Sequence, residues 1–122
     1  MDDKILDAVW SRATAVDGCD PVSVRKDCCG ALIMRSAYGD RDSDYGWEVD
    51  HIFPEALGGD DNIRNLRPMH WENNVSKGDD YPTYGAVVKA VGNKNVRIHE
   101  IFTVNKKIVS ELDKIYNTDY AG

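Results

Sequence analysis

The chain has 122 residues, of which 42% are hydrophobic and 30% are charged, and its net charge is −6. This length is enough for one domain with a core of its own, and the composition is ordinary for a soluble globular protein. No apolar run reaches membrane-spanning length, and the acidic start Met1–Lys4 is unlike a secretory signal, so we expect an intracellular protein without a membrane-bound part.

The charge is unevenly distributed along the chain. Residues 1–61 hold 6 basic and 14 acidic side chains, whereas residues 62–107 hold 8 basic and 4 acidic ones. Chance clustering on solvated faces explains this as well as a local basic surface does. The acidic net charge argues against a general polyanion binder but does not exclude a nucleic-acid substrate.

The first half of the chain predicts one helix and two strands. Apolar residues at helical spacing predict a short amphipathic helix within residues 3–15. The apolar run 30–34 and the segment 47–52 have strand character, and the turn-rich stretch 38–46 is expected to join them as a hairpin. Pro54 ends the second strand, because proline cannot donate to a ladder.

The second half predicts a surface loop, a short helix, a hairpin and a longer helix. The loop 54–64 contains Gly58-Gly59, which permit positive φ. A two-turn helix follows Leu66–Met69 and stops near Gly78. Two strand-like runs within 84–102 flank a turn at 92–95, and an apolar stripe predicts a helix over 104–116, capped by Thr103. These elements indicate an α+β fold in one domain, 1–122.

The segment 46–79 contains several polar side chains whose burial in a hydrophobic core would cost free energy. They include a carboxylate, an imidazole, two amides and an ammonium, which suit a site for a metal ion and a phosphate. Taken singly, each has a plain structural explanation: a surface ion pair, an exposed amide, or a solvated lysine at a helix end. The five residues are Asp50, His51, Asn65, Asn74 and Lys77.

The order of these residues matches a known pattern. The run W-E-V-D-H-I-x-P is followed by Gly-Gly, then N-L-R-P, then N-x-x-K-G-D, with 14 residues from His51 to Asn65 and 9 from Asn65 to Asn74. This resembles the HNH endonucleases of the ββα-metal class, within a subgroup of small bacterial and phage proteins. The likeness extends over residues 20–80 and is close over 46–79.

The resemblance implies a role for each residue. His51 is similar to the general base that takes a proton from the attacking water, and Asn65 to the amide that holds the loop and orients the imidazole. Asp50 and Asn74 resemble the metal ligands, and Lys77 a basic residue near the phosphate. The fold implied is a ββα-metal motif with an additional N-terminal helix, a second hairpin and a C-terminal helix.

The chemistry of these residue types agrees with that assignment. Histidine can serve as a base at physiological pH, and a divalent cation can stabilise a leaving oxygen. Two oxygen ligands favour Mg²⁺ or Mn²⁺. No structural zinc is expected, because Cys19, Cys28 and Cys29 lack the spacing of paired C-x-x-C ligands and are too few. His70 and His99 fit no ligand role.

The partner that the resemblance implies is nucleic acid, DNA in the first place, in the cytoplasm of a bacterium or phage-infected cell. A homodimer or a regulatory protein partner is compatible with the sequence. Two other functions remain open: a non-catalytic nucleic-acid-binding module on the same scaffold, and a nuclease toxin controlled by a protein partner.

Overall fold

A computed structural model describes all 122 residues. The fold is α+β, as predicted, with three α-helices and seven strands in three separate antiparallel sheets. None of the helices has the length and apolarity that a membrane crossing needs. In chain order the elements are α1 (Asp3–Trp10), β1 (Thr14–Ala15), β2 (Val24–Lys26), β3 (Leu32–Met34), β4 (Trp47–His51), β5 (Leu66–His70), α2 (Trp71–Lys77), β6 (Thr83–Val91), β7 (Lys94–Thr103) and α3 (Lys106–Tyr116).

The predicted hairpin across residues 38–46 is wrong. Strand β3 pairs with β2, and β2 with β1, to form a small three-stranded sheet. The chain reverses earlier, where the carboxylate of Asp27 accepts hydrogen bonds from the N–H groups of Cys29 and Ala31, both at 2.9 Å. Strand β2 is short and half-buried, so it carries no clear alternation from which pairing could be read.

The β4–β5 hairpin lies at the centre of the molecule and joins its two hydrophobic clusters. Every residue of β5 is buried. Trp47 and Leu66 pack with α1 in one cluster, while Ile52 and Met69 pack with β6 and α3 in the other. A hairpin enclosed on both faces is a rigid support for the polar residues at its open end.

The C-terminal half follows the prediction with small shifts. Helix α2 ends where expected, at Gly78, whose φ of 52° suits a residue without Cβ. The β6–β7 hairpin is present, with a tighter turn than predicted. Helix α3 begins later than predicted, because Asn105 rather than Thr103 caps it by accepting a hydrogen bond from the N–H of Ile108.

Candidate active site

The β4–β5 hairpin and helix α2 bring three of the predicted site residues to one cleft. In the hairpin register Asp50 lies opposite Arg67, and His51 opposite Leu66. The cleft has a volume of about 300 Å³ and is lined by Asp50, His51 and Asn74 together with Val49, Pro54, Glu55, Gly78 and Asp79. The alternation of side chains along β4 does not separate Asp50 from His51, because the strand ends at His51.

Asp50 is a buried carboxylate held between two cations. Its side chain is 3% exposed, with Oδ2 at 2.9 Å from Nε of Arg67 and Oδ1 at 3.2 Å from Nζ of Lys77. A carboxylate with two buried cationic partners has its negative charge more than offset within the protein. Its two oxygens are therefore fixed in position at the wall of the cleft.

Lys77 lies inside the protein and not on the cleft surface. Its side chain is fully buried, and Nζ donates a hydrogen bond to the carbonyl oxygen of His51 at 3.2 Å as well as contacting Asp50. The family resemblance implied that Lys77 lies near the phosphate. In the structure it ties the end of α2 to the end of β4, because its long side chain reaches back under the hairpin.

Asn74 lines the cleft, and only the nitrogen of its side-chain amide is bound within the protein. Its Nδ2 donates to Oε1 of Glu48 at 3.2 Å, and its Oδ1 has no hydrogen-bond partner. Burial raises the pKa of Glu48, but hydrogen bonds from Arg41 and Asn74 outweigh that effect and lower the pKa overall. Glu48 thus orients the amide so that its oxygen is the free ligand atom.

His51 is oriented by an acidic residue that the sequence analysis did not single out. Its Nε2 lies 2.8 Å from Oδ1 of Asp61, whereas Nδ1 is 3.7 Å from the nearest oxygen of Glu55, beyond hydrogen-bond distance. The imidazole is 19% exposed. Because a carboxylate can only accept, the hydrogen of the neutral ring resides on Nε2 and the lone pair on Nδ1.

Asn65 fastens the loop between the two strands. The residue is fully buried; Oδ1 accepts from the N–H of Phe53 at 2.7 Å, and Nδ2 donates to the carbonyls of Phe53 and Asp60. Gly59 has to be glycine here, since a Cβ would lie 1.8 Å from the Phe53 carbonyl oxygen. The side chain of Asn65 makes no hydrogen bond to His51; it holds the loop from which Asp61 reaches the imidazole.

Two buried polar residues outside the predicted set hold α2 in place. Oδ1 of Asn73 accepts from the N–H groups of Val87 and Val88, where β6 and β7 shift register, and its Nδ2 donates to Asp27. Asp27 also accepts from the N–H of His70. Burial raises the pKa of Asp27, and these hydrogen bonds oppose the rise. An asparagine in a short helix was the only signal in the sequence.

His70 has a structural role, which agrees with its lack of a predicted ligand role. The residue is 1% exposed and precedes α2, where its Nδ1 accepts a hydrogen bond from the N–H of Glu72. Its Nε2 lies 2.9 Å from the carbonyl oxygen of Asp44. Both ring nitrogens are therefore used within the protein, and the imidazole serves as the cap of the helix.

The oxygen atoms at the cleft fit a hard divalent cation. No three side chains among the histidines, cysteines, aspartates and glutamates are grouped to hold a metal ion by themselves. The atoms available are the carboxylate of Asp50 and the unpartnered Oδ1 of Asn74. Such a sparse oxygen set suits Mg²⁺ or Mn²⁺, which keep several positions for water and substrate phosphate. The absence of a structural zinc stays a prediction.

Comparison with known families agrees with this arrangement. Residues 41–83 match the family model described as HNH endonuclease. Comparisons with curated proteins and with solved structures gave no match. The matched segment contains β4, β5 and α2, the two strands and helix of a ββα unit, together with all five predicted site residues. Nucleases of this kind typically use a divalent metal ion. This match over residues 41–83 supports membership of the HNH endonuclease family.

Proposed function

We propose that this protein is a metal-dependent endonuclease that hydrolyses phosphodiester bonds in DNA, with His51 as the general base. The observation that carries the proposal is the convergence of Asp50, His51 and Asn74 on one polar cleft. We further propose that residues 1–122 act as one nuclease domain built around 46–79, since the central hairpin contributes to both hydrophobic clusters.

His51 performs the proton transfer in this proposal. Asp61 accepts a hydrogen bond from Nε2, so the lone pair of Nδ1 is left to take a proton from the attacking water. The charge that forms on the ring is then stabilised by the same carboxylate, as in other histidine–carboxylate pairs. Asp61 is therefore a positioning residue, and Asn65 supports it by holding the loop.

Asp50 and Asn74 are the proposed ligands of the cation. When bound, the cation offsets negative charge on the phosphate and on the leaving 3′-oxygen. Lys77 and Arg67 hold the Asp50 carboxylate in one orientation, and Glu48 does the same for the amide of Asn74. Fixing the donor atoms in this way reduces the reorganisation needed when substrate arrives.

Supercoiled plasmid tests the activity. We expect nicking in Mg²⁺ or Mn²⁺ and none in EDTA, and an Asn74→Ala protein that needs about tenfold more metal for half-maximal activity. The control is Val75→Ala, an exposed neighbour on the same helix. DNA binding without cleavage in any divalent ion would overturn the proposal and leave a binding module on this scaffold.

The Asp61→Asn substitution tests how His51 is oriented. An amide can donate as well as accept, so the ring is no longer restricted to the tautomer with its lone pair on Nδ1. Because Asp61 is largely exposed, we expect kcat to fall by roughly tenfold, less than for a buried partner, with KM little changed. Asp80→Asn, an exposed carboxylate without such a contact, serves as the control. Unchanged ¹⁵N signals of the His51 ring in Asp61→Asn would contradict the assignment.

A further inference from the structure

A second cleft, on the other side of Arg67 from the active site, has the opposite charge. Its volume is about 270 Å³, and its nine lining residues include Arg12 and Arg67 but no carboxylate. The active-site cleft, in contrast, is lined by three carboxylates and neither arginine. The charged groups on these walls favour a cation in one cleft and an anion in the other.

Arg67 is a buried guanidinium with unused donors. The residue is 8% exposed, and only its Nε has a hydrogen-bond partner, the carboxylate of Asp50. Nη2 is enclosed without any partner, and Nη1 makes no hydrogen bond either. A guanidinium can donate five hydrogen bonds in a fork that matches an oxyanion. Arg67 lines this cleft, and two of its three side-chain nitrogens make no hydrogen bond.

Arg12 adds a second positive charge on the same wall. It is exposed, and the single hydrogen bond of its side chain is a long one of 3.4 Å to the carbonyl oxygen of Arg64. Burial, and then the like charges of Arg67 and Arg64, lower the pKa of Arg12 against the opposing charge of Glu111. Glu111 is itself paired with Arg64 at 2.8 Å. Mutual repulsion between arginines is relieved when an anion binds between them.

Cys28 lines this cleft, so the reactivity of its thiol can show whether a ligand is bound there. Cys28 is an exposed residue whose Sγ is partly covered, at 3.7 Å from the hydroxyl oxygen of Tyr84, whereas Cys29 is buried. Interaction with Cys29 and the charge of Arg67 both lower the pKa of the Cys28 thiol, against the effect of burial. A thiol of this kind reacts with a neutral alkylating agent, and a bound anion would shield it.

We propose that the Arg12–Arg67 cleft is a binding site for a phosphate group. The phosphate belongs either to a nucleic-acid strand, beyond the bond that is cut, or to a small phosphorylated molecule. The strand alternative rests on the proposed function, whereas the binding of phosphate itself does not. Through Arg67, an anion here is joined to Asp50 of the active site by a single guanidinium.

The test measures the rate at which iodoacetamide alkylates Cys28, followed by peptide mass spectrometry in EDTA. At inorganic phosphate about ten times its dissociation constant, roughly a tenth of the sites are free, so we expect about tenfold slower alkylation. Cys19 is exposed and lines a different cavity, so its rate should not change. Arg12→Gln should require about tenfold more phosphate for the same protection, whereas Lys94→Gln, which removes one exposed positive charge elsewhere, should not.

A second arm uses a short oligonucleotide in place of inorganic phosphate. Protection of Cys28 at a much lower concentration than inorganic phosphate requires identifies a strand as the source, and protection by inorganic phosphate alone identifies a small molecule. The proposal is overturned if neither probe slows alkylation beyond sodium chloride of equal ionic strength, or if Arg12→Gln is protected as well as the unaltered protein. The alkylation experiment measures no cleavage. Its result on phosphate binding therefore stands whether or not the protein cleaves DNA.

Discussion

The His51→Ala protein should lose plasmid nicking by about 10²–10⁴-fold while remaining folded. The imidazole is the only group at the cleft with a free nitrogen lone pair suited to accept a proton from water, and alanine leaves no substitute. Stability should change little, since the contacts of the ring are with the exposed carboxylates of Asp61 and Glu55. The measurements are initial nicking rates in Mn²⁺ and thermal unfolding of the same preparation.

His99→Ala is the matched control for that experiment. His99 is exposed on β7, so its removal subtracts an imidazole without touching the cleft. It should retain full activity. A His51→Ala protein that nicks within threefold of the unaltered one would contradict the assignment of the base, whereas partial recovery with added imidazole would support it.

The Asp50→Ala protein should be strongly destabilised, by about 3–5 kcal/mol, quite apart from its effect on catalysis. Removing the carboxylate leaves the guanidinium of Arg67 and the ammonium of Lys77 buried without a counter-charge. Urea unfolding measures the loss as a lower midpoint at an unchanged slope. Asp79→Ala removes a carboxylate from the rim of the same cleft, where it is exposed, and should change stability by about 0.5 kcal/mol or less.

A double variant separates unpaired charge from other causes. Adding Lys77→Met to Asp50→Ala removes one of the two buried cations, so part of the lost stability should return. An Asp50→Ala protein with the same urea midpoint as the unaltered protein would show that the three charges are not coupled. Asn74→Ala is the cleaner test of metal binding, since the oxygen that it removes has no partner in the protein. Inactivity of Asp50→Ala has two causes, loss of a metal ligand and loss of stability.

The match to the family model and most of the elements could be predicted from the sequence, because the signals are local. The spacing from His51 to Asn74 and the glycine after α2 depend only on residues near one another along the chain. The α+β class and the β6–β7 hairpin follow from periodicity and turn residues. The hairpin across 38–46 failed because strand pairing is settled by long-range contacts, here by the turn that Asp27 holds.

The sequence by itself determined which side chains are candidates for the site, since each residue of the motif is specified by its position relative to the others. Only the tertiary structure decided what each side chain contacts. Lys77 is buried against Asp50, and Asp61 lies against His51. The cleft between Arg12 and Arg67 likewise joins the segment after α1 to β5 across the fold. The energy with which a charged side chain interacts depends on its burial and on its partner. Both depend on segments that meet only when the chain has folded.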